Sequence, residues 1–93
     1  MNLTWDEQKR QKTIIQRDLN FADLKFVFSD TIKIEFKDDR ENYGEDRMIT
    51  VGFLHKRMVV AVWTQREHSR RIISMRKAND REIEKYSQLL NAP

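Results

Sequence analysis

Four cations, Arg70, Arg71, Arg76 and Lys77, fall within one short run that also carries Ile72, Ile73 and Met75. The mixture reads as a strand that displays positive charge from a rigid sheet. Cations held in this way suit a polyanion, and RNA is the leading ligand. Arginine presents a planar fork that meets two phosphate oxygens at once, which lysine cannot reproduce. Arg76 is therefore expected to grip a phosphate, and is of the type that can stabilise negative charge building on it. Arg70, Arg71 and Lys77 are expected to bind the neighbouring backbone. With uninterrupted alternation along the strand, Arg70, Ile72, Ser74 and Arg76 share one face and Arg71, Ile73, Met75 and Lys77 the other.

If a bound RNA were also to be cut without a metal, the chemistry would require an aligned 2′-hydroxyl, a neutralised phosphate and a route for protons. For the protons the sequence offers Glu82, Tyr86, His68 and Lys9. Glu82 and Tyr86 stand one helical turn apart and share a face, a spacing that also suits a core aromatic beside a solvated acid. His68, in a turn beside the cations, is of the type that exchanges protons near neutral pH, or is simply exposed. Lys9 and Lys12 project from an N-terminal helix towards solvent or a nucleic-acid partner. Trp5 can stack on a base or close a hydrophobic staple on that helix. Asp38, Asp39, Glu41, Glu45 and Asp46 are set aside as a magnesium site, because Arg40 and Arg47 interrupt them and no strand-borne carboxylate pair accompanies them. That loop is read instead as organising its own turn through Arg40 and Arg47, with pairing to the basic strand or to a basic partner as alternatives. No metal or cofactor is expected.

The elements that position these groups follow from periodicity. Thr4 or Asp6 can cap a helix running to about Arg17, with Glu7 at capping-box distance from Thr4. Asn20 caps a second, Phe21–Phe28, whose Phe21, Leu24 and Phe28 recur at helical spacing. Ile32, Ile34 and Phe36 alternate with Lys33 and Glu35 as a half-buried strand. After a charged loop at 37–46, Met48–Leu54 forms another strand, and His55-Lys56 makes a tight connection. Met58–Trp63 is apolar on both parities, as in a central strand. Arg71–Arg76 returns as a fourth strand. Asn79 to Glu82 then cap a last helix with Ile83, Tyr86, Leu89 and Leu90 as its buried stripe. The expected fold class is α+β: two N-terminal helices, a four-stranded mainly antiparallel sheet and a C-terminal helix.

The 93 residues form one domain, 1–93, with 39% hydrophobic and 35% charged residues and a net charge of +3. Charge is segregated: residues 30–46 carry a net −4 and residues 66–77 a net +4. The absence of cysteine excludes disulfides, thiolate chemistry and cysteine-ligated zinc. No apolar window reaches the length of a membrane span or a signal peptide. A cytoplasmic location and no membrane partner are expected.

Three runs, in order, resemble the BrnT family of ribonuclease toxins from bacterial type II toxin–antitoxin pairs. The first is Trp5-Asp6-x-x-Lys9, followed by Phe21. The second spans Asp38-Asp39-Arg40-Glu41-Asn42-Tyr43-Gly44-Glu45-Asp46-Arg47 and ends in Gly52. The third is Arg71-Ile72-Ile73-Ser74-x-Arg76-x-Ala78, with Glu82 and Tyr86 after it. The resemblance implies a RelE-like fold and an endoribonuclease that cleaves mRNA to stop translation and growth. It also implies a cognate BrnA-like ribbon-helix-helix antitoxin, with DNA reached only through that complex. The chain departs from the family at Gln16-Arg17-Asp18, where a Lys-His-Gly turn is usual, at Thr13 in place of asparagine, and at Met75 in place of a small residue. The missing glycine implies a different turn or a longer first helix. The competing reading is a catalytically impaired module that binds RNA or antitoxin and serves transcriptional autoregulation.

Overall fold

The computed structural model describes residues 2–90. Strand β1 (Asn2–Thr4) leads into α1 (Glu7–Arg17), and a single 3-10 turn at Phe21–Asp23 opens α2 (Leu24–Ser29). Then come β2 (Lys33–Lys37), β3 (Arg47–Leu54), β4 (Arg57–Arg66), β5 (Ser69–Lys77) and α3 (Asp80–Leu90). The strands lie in the order β1-β5-β4-β3-β2. All neighbours are antiparallel except β1, which pairs parallel with β5 from Ser69 to Arg71. The sheet thus has five strands rather than the four expected from sequence. Residues 2–4 are too few to show alternation, and Leu3 holds them in place by packing on the core.

Thr4 consequently caps no helix. Asp6 does so, its carboxylate accepting from the amides of Gln8 at 2.9 Å and Lys9 at 3.2 Å. Helix α1 ends at Arg17 because Asp18 takes the left-handed conformation, φ 57° and ψ 39°. Aspartate tolerates that region better than most residues. The helix therefore neither runs on nor needs glycine. Arg17 then reaches across to donate to the Met75 carbonyl at 2.9 Å, tying the end of α1 to β5. The β3–β4 connection is a two-residue turn in which His55 and Lys56 both have positive φ, the geometry that matches strand twist.

The sheet separates two apolar clusters. On the first face, α2 and the 3-10 turn bury Phe21, Leu24 and Val27 against Val59, Ala61, Trp63, Ile72 and Met75. On the second face, Ile49, Val51, Val60 and Val62 meet Phe36, Ile73, Tyr86 and Leu90. Of the four residues expected as its buried stripe, helix α3 packs only Tyr86 and Leu90 on this face, whereas Ile83 and Leu89 are exposed, so it covers the face only in part. A close approach fixes α2 on the first face: a Cβ built on Gly52 would lie 2.7 Å from Val27 Cγ1.

A β-bulge divides β5. Val62 pairs with Ser74 and Trp63 with Ile72, leaving Ile73 as an extra residue. The unbroken alternation expected for Arg70 to Lys77 therefore does not hold. Ile72 and Met75, three apart, both point into the first cluster, while Ile73 joins the second. Arg70 faces the first side, stacked on Phe28 and Trp63. Arg76 pairs opposite Val60 and faces the second. The two arginines do not share a face.

Candidate functional site

The second face holds the most concentrated set of functional groups. Asn79 and Glu82 form a capping box at the start of α3. The Glu82 amide donates to Asn79 Oδ1 at 2.8 Å, and the Asn79 amide donates to Glu82 Oε1 at 3.0 Å. With its backbone fixed, the Glu82 carboxylate receives both forks of Arg76, Nη1 to Oε1 at 2.6 Å and Nη2 to Oε2 at 2.8 Å. The Arg76 side chain remains 39% exposed. It borders a cleft of about 210 Å³ whose walls include Arg40, Asp38, Lys37, Glu82 and Tyr86, over a floor of Ile49 and Val60.

The loop between β2 and β3 supplies the opposite wall. Asp38 is buried, and its carboxylate accepts from Arg40 Nε and Nη2, both at 2.8 Å, and from the Tyr43 hydroxyl at 3.3 Å. Arg47 closes the loop by lying 4.0 Å over the Tyr43 ring. The expected self-organised turn through Arg40 and Arg47 is what forms. Arg40 stays 63% exposed, so this anchored cation faces the cleft opposite Arg76.

Hydrogen bonding from Arg76 holds the Glu82 carboxyl down at about 2, with smaller contributions from the Asn79 amide and from Arg40. The Arg40 fork likewise holds Asp38 at about 2. Glu82 raises the proton affinity of Arg76 in return. Two arginines and two ionised carboxylates thus surround the cleft at neutral pH. An oxyanion entering it would compete with each carboxylate for its arginine.

The other sequence-expected groups fall elsewhere. Tyr86 lines the cleft and stacks on Phe36 with 6.2 Å between centroids. Arg71 pairs opposite the buried Thr64, on the same face as Arg76. Lys77 lines a shallow hollow with Ile15, Arg17 and Arg76 beside the end of α1. Lys9 and Lys12 are exposed on α1 and line neither hollow. Trp5 meets the edge of Phe21 at 6.5 Å and donates to Glu7, so its ring is engaged in packing. His68 sits in the β4–β5 turn, about 25 Å along the strand from Arg76. Arg70 lies on the far side of the sheet. Among the described residues, no group of three His, Asp or Glu is placed to hold a metal ion.

Sequence reasoning did not place Arg40 at the cleft. The available signal was its position two residues after a buried aspartate, a spacing that lets one side chain fork back onto the other.

A family model described as ribonuclease toxin, BrnT, of type II toxin–antitoxin system matches residues 5–82. The chain belongs to the BrnT family. BrnT membership makes RNA the target class and an antitoxin the partner class. The match takes in the Asp38–Arg47 loop, Arg76 and Glu82, and stops short of Tyr86 in the cleft wall. No curated protein matches the chain. Among the described residues, no helix of this BrnT chain is long and apolar enough to cross a membrane.

Proposed function

We propose that this chain is a toxin that cleaves mRNA internally, using the cleft between α3 and the Asp38–Arg47 loop, and that a BrnA-like ribbon-helix-helix antitoxin neutralises it. The observation that carries the proposal is the Arg76 fork, rigidly held yet open to a cleft with a second anchored arginine. A phosphodiester enters between Arg76 and Arg40, which share its charge. Sharing Arg76 with the phosphate weakens the Arg76–Glu82 pair and raises the proton affinity of Glu82. Glu82 then takes the proton of the 2′-hydroxyl as the O2′–P bond forms. The P–O5′ bond breaks, and Tyr86 donates a proton to the leaving oxygen. The products are a 2′,3′-cyclic phosphate and a 5′-hydroxyl end, and solvent restores both protonation states. Arg71 extends the cationic track on the same face, while Lys77, Lys9 and Lys12 serve flanking backbone around α1.

The test is incubation of purified protein with total RNA in EDTA. Degradation is expected, with its loss in Arg76→Ala and a weakened remnant in Arg76→Lys, since lysine keeps the charge without the fork. Intact RNA alongside well-folded protein overturns the proposal. A second reading rests on the same ion pair: if phosphate fails to displace Glu82, the cleft binds without cutting and the chain acts in autoregulation. Growth arrest on expression without its antitoxin separates the two, because harmless accumulation of folded protein fits only the second.

A further inference from the structure

Arg76 lines two hollows rather than one. Beside the cleavage cleft it shares an open hollow of about 500 Å³ with Lys77 and with Ile15, Gln16, Arg17 and Asp18 at the end of α1. Arg76 and Lys77 are strand neighbours whose side chains leave opposite faces. A hollow lined by both lies over the margin of β5 that β1 leaves unpaired beyond Arg71. RNA whose phosphate is gripped by Arg76 therefore has a flanking nucleotide over this margin, beside the end of α1.

The α1 side of the hollow is fixed in place. Arg17 donates to the Met75 carbonyl at 2.9 Å, and the Asp18 amide donates to the Ile14 carbonyl at 3.0 Å. The Asp18 carboxylate is left over. Arg17 is engaged with Met75 and Arg76 with Glu82, and among the described residues Asp18 has no side-chain hydrogen bond or ion pair. Gln16 is exposed beside it. A negative group on a cationic track repels phosphate, so it adds nothing to the holding of a backbone. A base can use it. A carboxylate only accepts hydrogen bonds, and guanine alone sets two adjacent donors, N1–H and N2–H, on its pairing edge. Adenine and cytosine set a donor beside an acceptor there, and uracil sets one donor between two acceptors. Guanine O6, next to N1, can accept from the Gln16 amide. Ile15, 83% exposed, offers apolar contact to the flat of the ring.

We propose that Gln16 and Asp18 form a guanine-reading subsite for the nucleotide flanking the phosphate held by Arg76, which gives this toxin a base preference. The inference rests on Arg76 gripping the RNA backbone, as in the proposed function, but not on the cutting step.

Nuclear magnetic resonance of the labelled full chain tests this with uncleavable deoxy-pentanucleotides of thymine carrying one central guanine, inosine, adenine or cytosine. The guanine strand should bind about tenfold tighter than the adenine strand and move the Gln16 side-chain and Asp18 backbone signals. Inosine, which lacks the N2 amino group, should fall between them. Asp18→Asn should cut the guanine preference to about twofold or less, because the amide replaces an acceptor with a donor. Asparagine also tolerates the left-handed backbone, so the helix end is kept. Gln16→Ala, at an exposed helical position, should lower the preference about threefold without touching that turn. Equal binding of all strands, binding of none, a preference that survives Asp18→Asn, or shifts that bypass Gln16 and Asp18 overturns the inference. Guanine preference in a protein that leaves total RNA intact keeps the inference and removes the cleavage reading. Cutting of RNA by a protein that binds every strand alike does the reverse.

Discussion

Gly52→Ala should destabilise the fold by steric overlap at one contact. The added methyl would sit 2.7 Å from Val27 Cγ1, whereas carbon atoms pack at about 3.5–4.0 Å. About 1 Å of movement is therefore needed at a point with little room. Val27 is fully buried, its β-branched side chain is confined to one strongly preferred helical rotamer, and Leu24 beside it is equally buried. Overpacking of this kind costs about 2 kcal/mol, or a melting temperature lower by roughly 8–16 °C in a domain of this size. Circular dichroism melts and urea titrations give both quantities. Val27→Ala provides the internal check. Alone it should cost roughly 2 kcal/mol through the cavity it leaves. In the double variant the Cγ1 atom is gone, and the next neighbour of the new methyl is Lys33 Cβ at an ordinary 3.6 Å. The double variant should then be no less stable than Val27→Ala. A Gly52→Ala protein that melts with the parent, or two penalties that simply add, would refute the steric account.

Thr50→Val should cost about 1–3 kcal/mol, because it strands the Trp63 indole N–H that now donates to the Thr50 hydroxyl at 2.8 Å inside the core; tryptophan-detected urea unfolding measures it. Glu82 has an ordinary value of 4.5 and titrates at about 2 in the fold. Because folding lowers it, its contribution is complete above pH 4.5 and disappears as the pH falls through about 2. With Arg76 39% exposed, solvent screening limits that contribution to about 1 kcal/mol, which Glu82→Gln should lose at pH 7 and no longer differ from the parent near pH 2. Denaturant titrations at several pH values follow the difference. His68→Ala should leave RNA cleavage within about twofold of the parent in a gel assay, since the turn it occupies lies far from Arg76.

Elements with strong periodicity were legible in the sequence. The Phe21 helix, the Ile32–Phe36 alternation, the apolar β4 and the Asn79–Glu82 start all reappear within a few residues of their expected bounds. Two features were not. Strand β1 has three residues, and its pairing depends on a partner more than sixty positions away, which no local pattern encodes. The bulge at Ile73 breaks a period-2 reading because Ile72 and Ile73 are both apolar, so either phase fits that stretch equally well. Its consequence for the site was direct, as it separated Arg70 from Arg76. The cleft itself was half visible. Arg76 and Glu82 followed from charge on a strand and a helix start, whereas Arg40 required knowing that Asp38 is buried and turns its neighbour inward.

The guanidinium of Arg17 over the Met75 carbonyl also has a bearing on self-association. Beyond Arg71 the outer margin of β5 has no strand beside it among the described residues, and such margins template the stacking of one molecule's sheet onto another's. A fixed positive charge across that margin obstructs a second chain from zippering there, and it does so without lengthening β1. Neutralising position 17 should therefore open this margin, though not the far edge at β2, to a second chain.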